Sequence, residues 1–131
     1  MNERKDIISI EDIRLLVNTF YGKVRVDMLL GNIFNEVIKD RWPEHLEKMY
    51  RFWQTVLLGE HTYYGSPFPP HAQLPVDQMH FDTWLKLWHS TIDEYFTGEK
   101  ADEAKWRGDK MAVMFLSKIE YYRSHPSTPL L

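Results

Sequence analysis

Between two long stretches of helical periodicity the chain reads YGSPFPPHAQLP, from Tyr64 to Pro75. Proline fixes its own φ, lacks an N–H, and pushes the residue before it out of helical geometry. No helix can therefore cross this segment. A helix here can hardly begin before Pro70, and Leu74, before Pro75, is biased to end it. The histidine behind the paired prolines, His71, sits on about one turn held at both ends. Either the segment is an ordinary crossing loop, or its rigidity fixes one imidazole in space.

On either side the apolar residues recur at three- and four-residue spacing. The string SIED, Ser9 to Asp12, has the form of a capping box and precedes Ile13, Val17, Phe20 and Val24, with Tyr21 beside them. Asp27 is placed to cap a short segment, MLLGNIF, that ends at Phe34. Pro43 opens a further helix and Gly59 closes it, with His45, Met49, Phe52 and Val56 on one face. Beyond the prolines, Asp77 is placed to cap a long helix ending near Gly98, lined by Phe81, Trp84, Trp88, Ile92 and Tyr95. A last helix runs from about Ala101 to Tyr122, with Met111, Phe115, Ile119 and Tyr122 inward. No period-two alternation is convincing, so the expectation is an all-α fold of four substantial and two short helices. The tail SHPSTPLL, residues 124–131, reads as frayed beyond one domain spanning 1–131.

At 131 residues the chain has the length of one domain with a real core. A formal charge of −3, without a basic run among exposed aromatics, argues against nucleic acid. With no cysteine, disulfides, thiolate-ligated haem and iron–sulfur clusters are excluded. The start MNERKDIISIEDIRLL lacks the form of a secretory signal, and no stretch approaches the ~20 apolar residues of a membrane span. A soluble, cytoplasmic monomer without a membrane partner is the expectation. The chain has no H-E-x-x-H, no pair of histidines four apart, no phosphate-cradling glycine loop and no G-x-S-x-G elbow. Tyr21, His45 and Trp84 on apolar faces each have an ordinary reading as core or satisfied surface. Aromatic residues nevertheless make up 15% of the chain. One fixed histidine opposite aromatic-rich helices is the outline of a haem pocket.

Five strings in order carry a family resemblance: FYGKVR with Tyr21, LLGNIFN with Phe34, and WPEHLEKMYRFW with His45, Phe52 and Trp53. LLGEHTYYGSPFPPHAQLP with His71 and HFDTWLKLW with Phe81 and Trp84 complete the set. From about Ile10 to Tyr122 the chain resembles the truncated haemoglobins, and within them the third group. The paired-glycine motifs of the other two groups are missing. Met49 stands where the family often has a branched aliphatic residue, which softens that wall. The resemblance implies a two-over-two helical sandwich around non-covalent protohaem, with loop replacing most of the helix before the proximal histidine.

Under this resemblance His71 is the proximal iron ligand, and Tyr21, Trp84 and His45 face the distal side. Phe34, His45, Lys48, Met49, Phe52, Trp53 and Phe81 would contact the cofactor, with Lys48 either meeting a propionate or solvated. Bound O₂ carries partial negative charge on its outer atom, which the O–H of Tyr21 and the N–H of Trp84 can stabilise. His45 can donate in one tautomer or swing out as a gate. Tight, slowly released O₂ then suits scavenging, detoxification or buffering of O₂ or NO better than bulk transport. The alternative is an enzyme, an NO dioxygenase or a peroxidase-like protein, fed by a separate reductase. Strong peroxidase character needs a carboxylate behind the proximal imidazole, and the nearest acid to His71 in sequence is Asp77.

Overall fold

A computed structural model describes residues 3–125, and within them the chain is helical throughout, with one isolated backbone bridge between Lys5 and Phe96. The helices are α1 (Ile10–Val26), α2 (Gly31–Ile38), α3 (Trp42–Leu58), α4 (Gln78–Tyr95) and α5 (Glu99–Ser124). A single 3-10 turn, Pro69–His71, stands between α3 and α4. Four substantial helices and two short elements match the periodicity. Ser124 is the last residue of α5, and residues 126–131 of the expected tail lie outside the described residues. No helix among the described residues is long and apolar enough to cross a membrane.

Local chemistry sets the helix ends. Ser9 and Asp12 form the capping box of α1, and the Asp12 carboxylate also accepts the N–H of Ile8 at 3.0 Å and the Lys5 ammonium at 2.5 Å. Burial alone would raise the Asp12 pKa, but Lys5 and the backbone donors outweigh it and hold the carboxyl below its ordinary 3.8. Asp27 accepts the N–H groups of Leu29 and Leu30, both at 2.9 Å, which closes one tight turn before α2 starts at Gly31. The helical part of MLLGNIF is thus only its second half. Pro43 sits in the first turn of α3, and Gly59 ends that helix with φ 69, a left-handed conformation that favours glycine. Asp77 caps α4.

One expected inward residue is displaced. Tyr95 is 36% exposed, while its neighbour Phe96 is 2% exposed. Phe96 leaves helical geometry, with φ −135 and ψ 150, and this turns its ring into the core beside the Lys5 strand. A helical pattern cannot anticipate a side chain that is buried because the helix has stopped.

The four long helices pair as α1 with α3 and α4 with α5, and the pairs cross where α1 meets α4 and α3 meets α5. The larger hydrophobic cluster, built on Ile13, Val17, Phe20, Trp53 and Trp88, fills this crossing. A smaller cluster of Phe68, Ala72, Val76, Phe115 and Ile119 packs the proline-rich segment against α5. The Arg123 guanidinium donates to the carbonyls of Leu74 (2.9 Å) and Val76 (2.5 Å), tying the end of α5 to the same segment.

Candidate haem site

A cleft of about 850 Å³, counted to its open mouth, lies between the two clusters and takes lining residues from both. Its wall is mostly apolar. Phe34, Met49, Phe52, Trp53 and Phe81 line it, as expected for contacts to a flat apolar group. Tyr21, His45, His71, His80 and Trp84 bring the polar atoms and the imidazoles. Lys48 is exposed on α3 and is not among the residues that line the cleft.

His71 is fixed from behind. Its Nδ1 lies 2.6 Å from the Pro67 carbonyl oxygen, which only accepts, so Nδ1 carries the proton and donates. The carbonyl is available because the His71 N–H bonds instead to Phe68, at 2.7 Å, leaving Pro67 without a helical partner. Nε2 then keeps its lone pair and makes no hydrogen bond among the described residues. Burial lowers the His71 pKa, against the Pro67 and Phe68 carbonyls that raise it, so the ring is neutral at pH 7. Phe115 packs against the imidazole at a centroid distance of 4.9 Å.

The opposite wall is aromatic. Tyr21 is buried on α1 and meets the His45 ring edge-to-face at 5.1 Å. Burial raises the pKa of its hydroxyl above the ordinary value, so the O–H stays protonated. Neither that hydroxyl nor the indole N–H of Trp84 has a hydrogen-bond partner among the described residues. His45 Nε2 is buried with no partner among the described residues. Burial first, then the charges of His71 and Lys48, push the His45 pKa down to about 4. Such an unpaired buried nitrogen costs free energy unless something else occupies the space it faces.

The indole of Trp88, one turn from Trp84, shows what a satisfied ring looks like. Its N–H donates to the Ala104 carbonyl at 2.9 Å. It reaches that carbonyl because position 108 is glycine; a Cβ there would stand 2.8 Å from Trp88 Cδ1. Trp88 in turn stacks on Trp84 (5.9 Å, 18°) and Trp53 (4.6 Å, 26°), holding the Trp84 ring toward the cleft.

The arrangement is one neutral imidazole nitrogen and, in the same apolar cleft, a wall bearing unpaired donors. The sequence profile of the bacterial-like globins matches residues 6–116. The group 3 truncated haemoglobin ctb of Campylobacter jejuni subsp. jejuni is 36% identical over 124 residues, 92% of this chain and 98% of the relative. The crystal structure of a group III truncated haemoglobin from Campylobacter jejuni superposes with a TM-score of 0.81 at 35% identity. It covers 89% of this chain and 95% of the solved one. The chain belongs to the bacterial-like globins, as a group III truncated haemoglobin. Haem binding and diatomic gas ligands come with that family.

The cleft of this truncated haemoglobin fits the group: apolar faces for a porphyrin, a free Nε2 on His71 and an orphaned Nε2 on His45. Two parts of the site are missing from the sequence reading. The Pro67 carbonyl behind His71 had a signal, since prolines deprive neighbouring carbonyls of N–H partners. His80 on the wall had none, because its ordinary place in a helix's first turn says nothing of the cavity.

Proposed function

We propose that this truncated haemoglobin holds protohaem non-covalently, with His71 Nε2 as proximal ligand, and binds O₂, NO and CO reversibly. The observation that carries the reading is the locked His71 tautomer, together with Tyr21 and Trp84 donors without a partner among the described residues and the orphaned His45 Nε2. If bound, ferrous haem would supply an iron atom able to take a diatomic gas. The rest is done by the chain. His71 donates its Nε2 lone pair and is kept from rotating by the Pro67 carbonyl. Tyr21 O–H and Trp84 N–H offer hydrogen bonds to a ligand atom carrying negative charge, already oriented and therefore without a reorganisation cost. Phe34 and Phe52 exclude water.

A hydrogen bond to a charged acceptor contributes about 1.5–3 kcal/mol. At about 1.4 kcal/mol per decade, one such bond slows ligand release by roughly tenfold to a hundredfold. Slow release fits scavenging, buffering or detoxification of O₂ and NO, and opposes bulk transport. Peroxidase-like chemistry has little support: the partner of His71 is a neutral carbonyl, and Asp77 is engaged with His80 and the Met79 N–H. NO dioxygenation with a separate reductase asks nothing more of the pocket.

The test is spectroscopic and then kinetic. Purified protein is expected to show a strong Soret band and a five-coordinate ferrous spectrum after reduction. The oxygenated form is expected to consume NO when a reductant is supplied. A colourless protein that takes up no added haemin would remove the reading, and coloured protein inert to NO would limit it to ligand binding.

A further inference from the structure

Of the five side chains that bring polar atoms to the cleft wall, His71, Tyr21 and Trp84 act in the proposed function and His45 has its Nε2 buried; His80 is left without a part. It lies in the first turn of α4, four residues before Trp84, so the two project from one face of that helix. Its Nδ1 is occupied. The Asp77 N–H donates to it at 3.1 Å, and the Asp77 carboxylate oxygen Oδ1 stands 3.0 Å away. Nε2 carries a proton both in the neutral tautomer that accepts the Asp77 N–H and in the imidazolium that also donates to the Asp77 carboxylate. His80 Nε2 makes no hydrogen bond among the described residues, so the ring presents an unused N–H.

Its position is defined by its neighbour. The His80 side chain is 16% exposed, while that of Asp77 is 67% exposed, so the ring stands at the boundary between cleft and solvent. Nearby on the lining, Leu74, Val76 and Phe81 are apolar. A protohaem is an apolar disc with carboxylates along one edge. The disc is stabilised by burial, whereas an unpaired carboxylate inside the cleft would be costly, so that edge belongs at the mouth.

We propose that His80 anchors the cofactor, donating its Nε2–H to a porphyrin carboxylate at the mouth of the cleft while Asp77 holds the ring from behind. The inference rests on the haem reading above. It assigns the cofactor's charged edge to the α4 side of the opening, and it gives the α4 capping box a second purpose besides ending the helix. A single hydrogen bond to a carboxylate should slow cofactor loss by roughly tenfold.

The experiment measures transfer of haemin from the full-length, loaded protein to an excess of apomyoglobin. His80→Leu is expected to lose haemin roughly tenfold faster than the parent. His80→Gln, which keeps a donor, should recover much of that difference. With haemin dimethyl ester, whose edge cannot ionise, parent and His80→Leu should release at the same rate. If His80→Leu does not fold, His80→Phe, with a ring of similar bulk, takes its place. Equal haemin loss by parent and variant overturns the inference. So does a deficit that persists undiminished with the ester, which would mean that only the helix cap was damaged. A changed axial-ligand spectrum in the variant would make His80 an iron ligand and overturn it too. Parent protein that takes up no haemin would sink the haem reading itself, whereas loaded protein indifferent to position 80 sinks only this assignment.

Discussion

The two walls of the cleft are made in different ways. The wall with Tyr21, His45 and Trp84 comes from α1, α3 and α4, and its side chains are held by ring-on-ring packing. Their polar atoms are left over. The facing wall comes from the proline-rich segment, and its histidine is held by a hydrogen bond to the main chain. Packing places a ring without using its polar atom, so it suits donors meant for a ligand. A hydrogen bond uses one nitrogen of the imidazole and thereby defines the other, so it suits a metal ligand. The tryptophans of α4 repeat the contrast within one turn: Trp88 donates its N–H to the protein, and Trp84 keeps its own free.

The largest effect is expected on the segment side. His71→Ala should lose iron ligation and most haem retention, seen as a lost or shifted Soret band in the purified protein. An unchanged spectrum would strip this wall of its role.

The paired tryptophans give the next test. Tyr21→Phe and Trp84→Phe should each speed O₂ release by about tenfold or more, with CO release changed less. Trp88→Phe should leave O₂ release near the parental rate and instead lower stability by about 2 kcal/mol, read from thermal or urea unfolding. The contrast is broken if the Trp88 variant releases O₂ as fast as the Trp84 variant.

The smallest effect is a pH dependence of the haem-free protein. A histidine titrates near 6.5 in the unfolded chain, and His45 near 4 in the folded one. Between those values the unfolded state takes up a proton that the folded state refuses, so stability should fall as pH drops from 6.5 toward 4. His71, also lowered, acts in the same direction below 6.5. His45→Leu should flatten the slope in part. Asp6 and Asp12, whose carboxyls are held below 3.8, lose their contribution only at lower pH. A urea-unfolding series from pH 7 down to about pH 2 separates the two windows, and an identical slope in the His45 variant would mean that its ring is not buried.

Helix order was legible because it is local. Ser9 with Asp12, and Asp77, mark helix starts through hydrogen bonds spanning a few residues, while Pro43 and Gly59 mark the ends of α3 through their own backbone preferences. The proline frame around His71 was equally plain. Most of the cleft lining followed, since residues four apart on one helix share a face whatever they meet. Lys48 shows the limit of that rule: it is three residues from His45, yet it points to solvent.

What the chain could not announce is which remote atom satisfies which side chain. Trp84 and Trp88 look alike in sequence, and only the carbonyl of Ala104 beside the bare backbone of Gly108 tells them apart. Phe96 rather than Tyr95 fills the core because a helix ended where the Lys5 strand arrives. Short-range hydrogen bonds and periodicity therefore determined the helices and the fixed imidazole. The free donors and the rim histidine were decided by tertiary packing, because an unpaired polar atom is a property of its whole surroundings and not of its own residue.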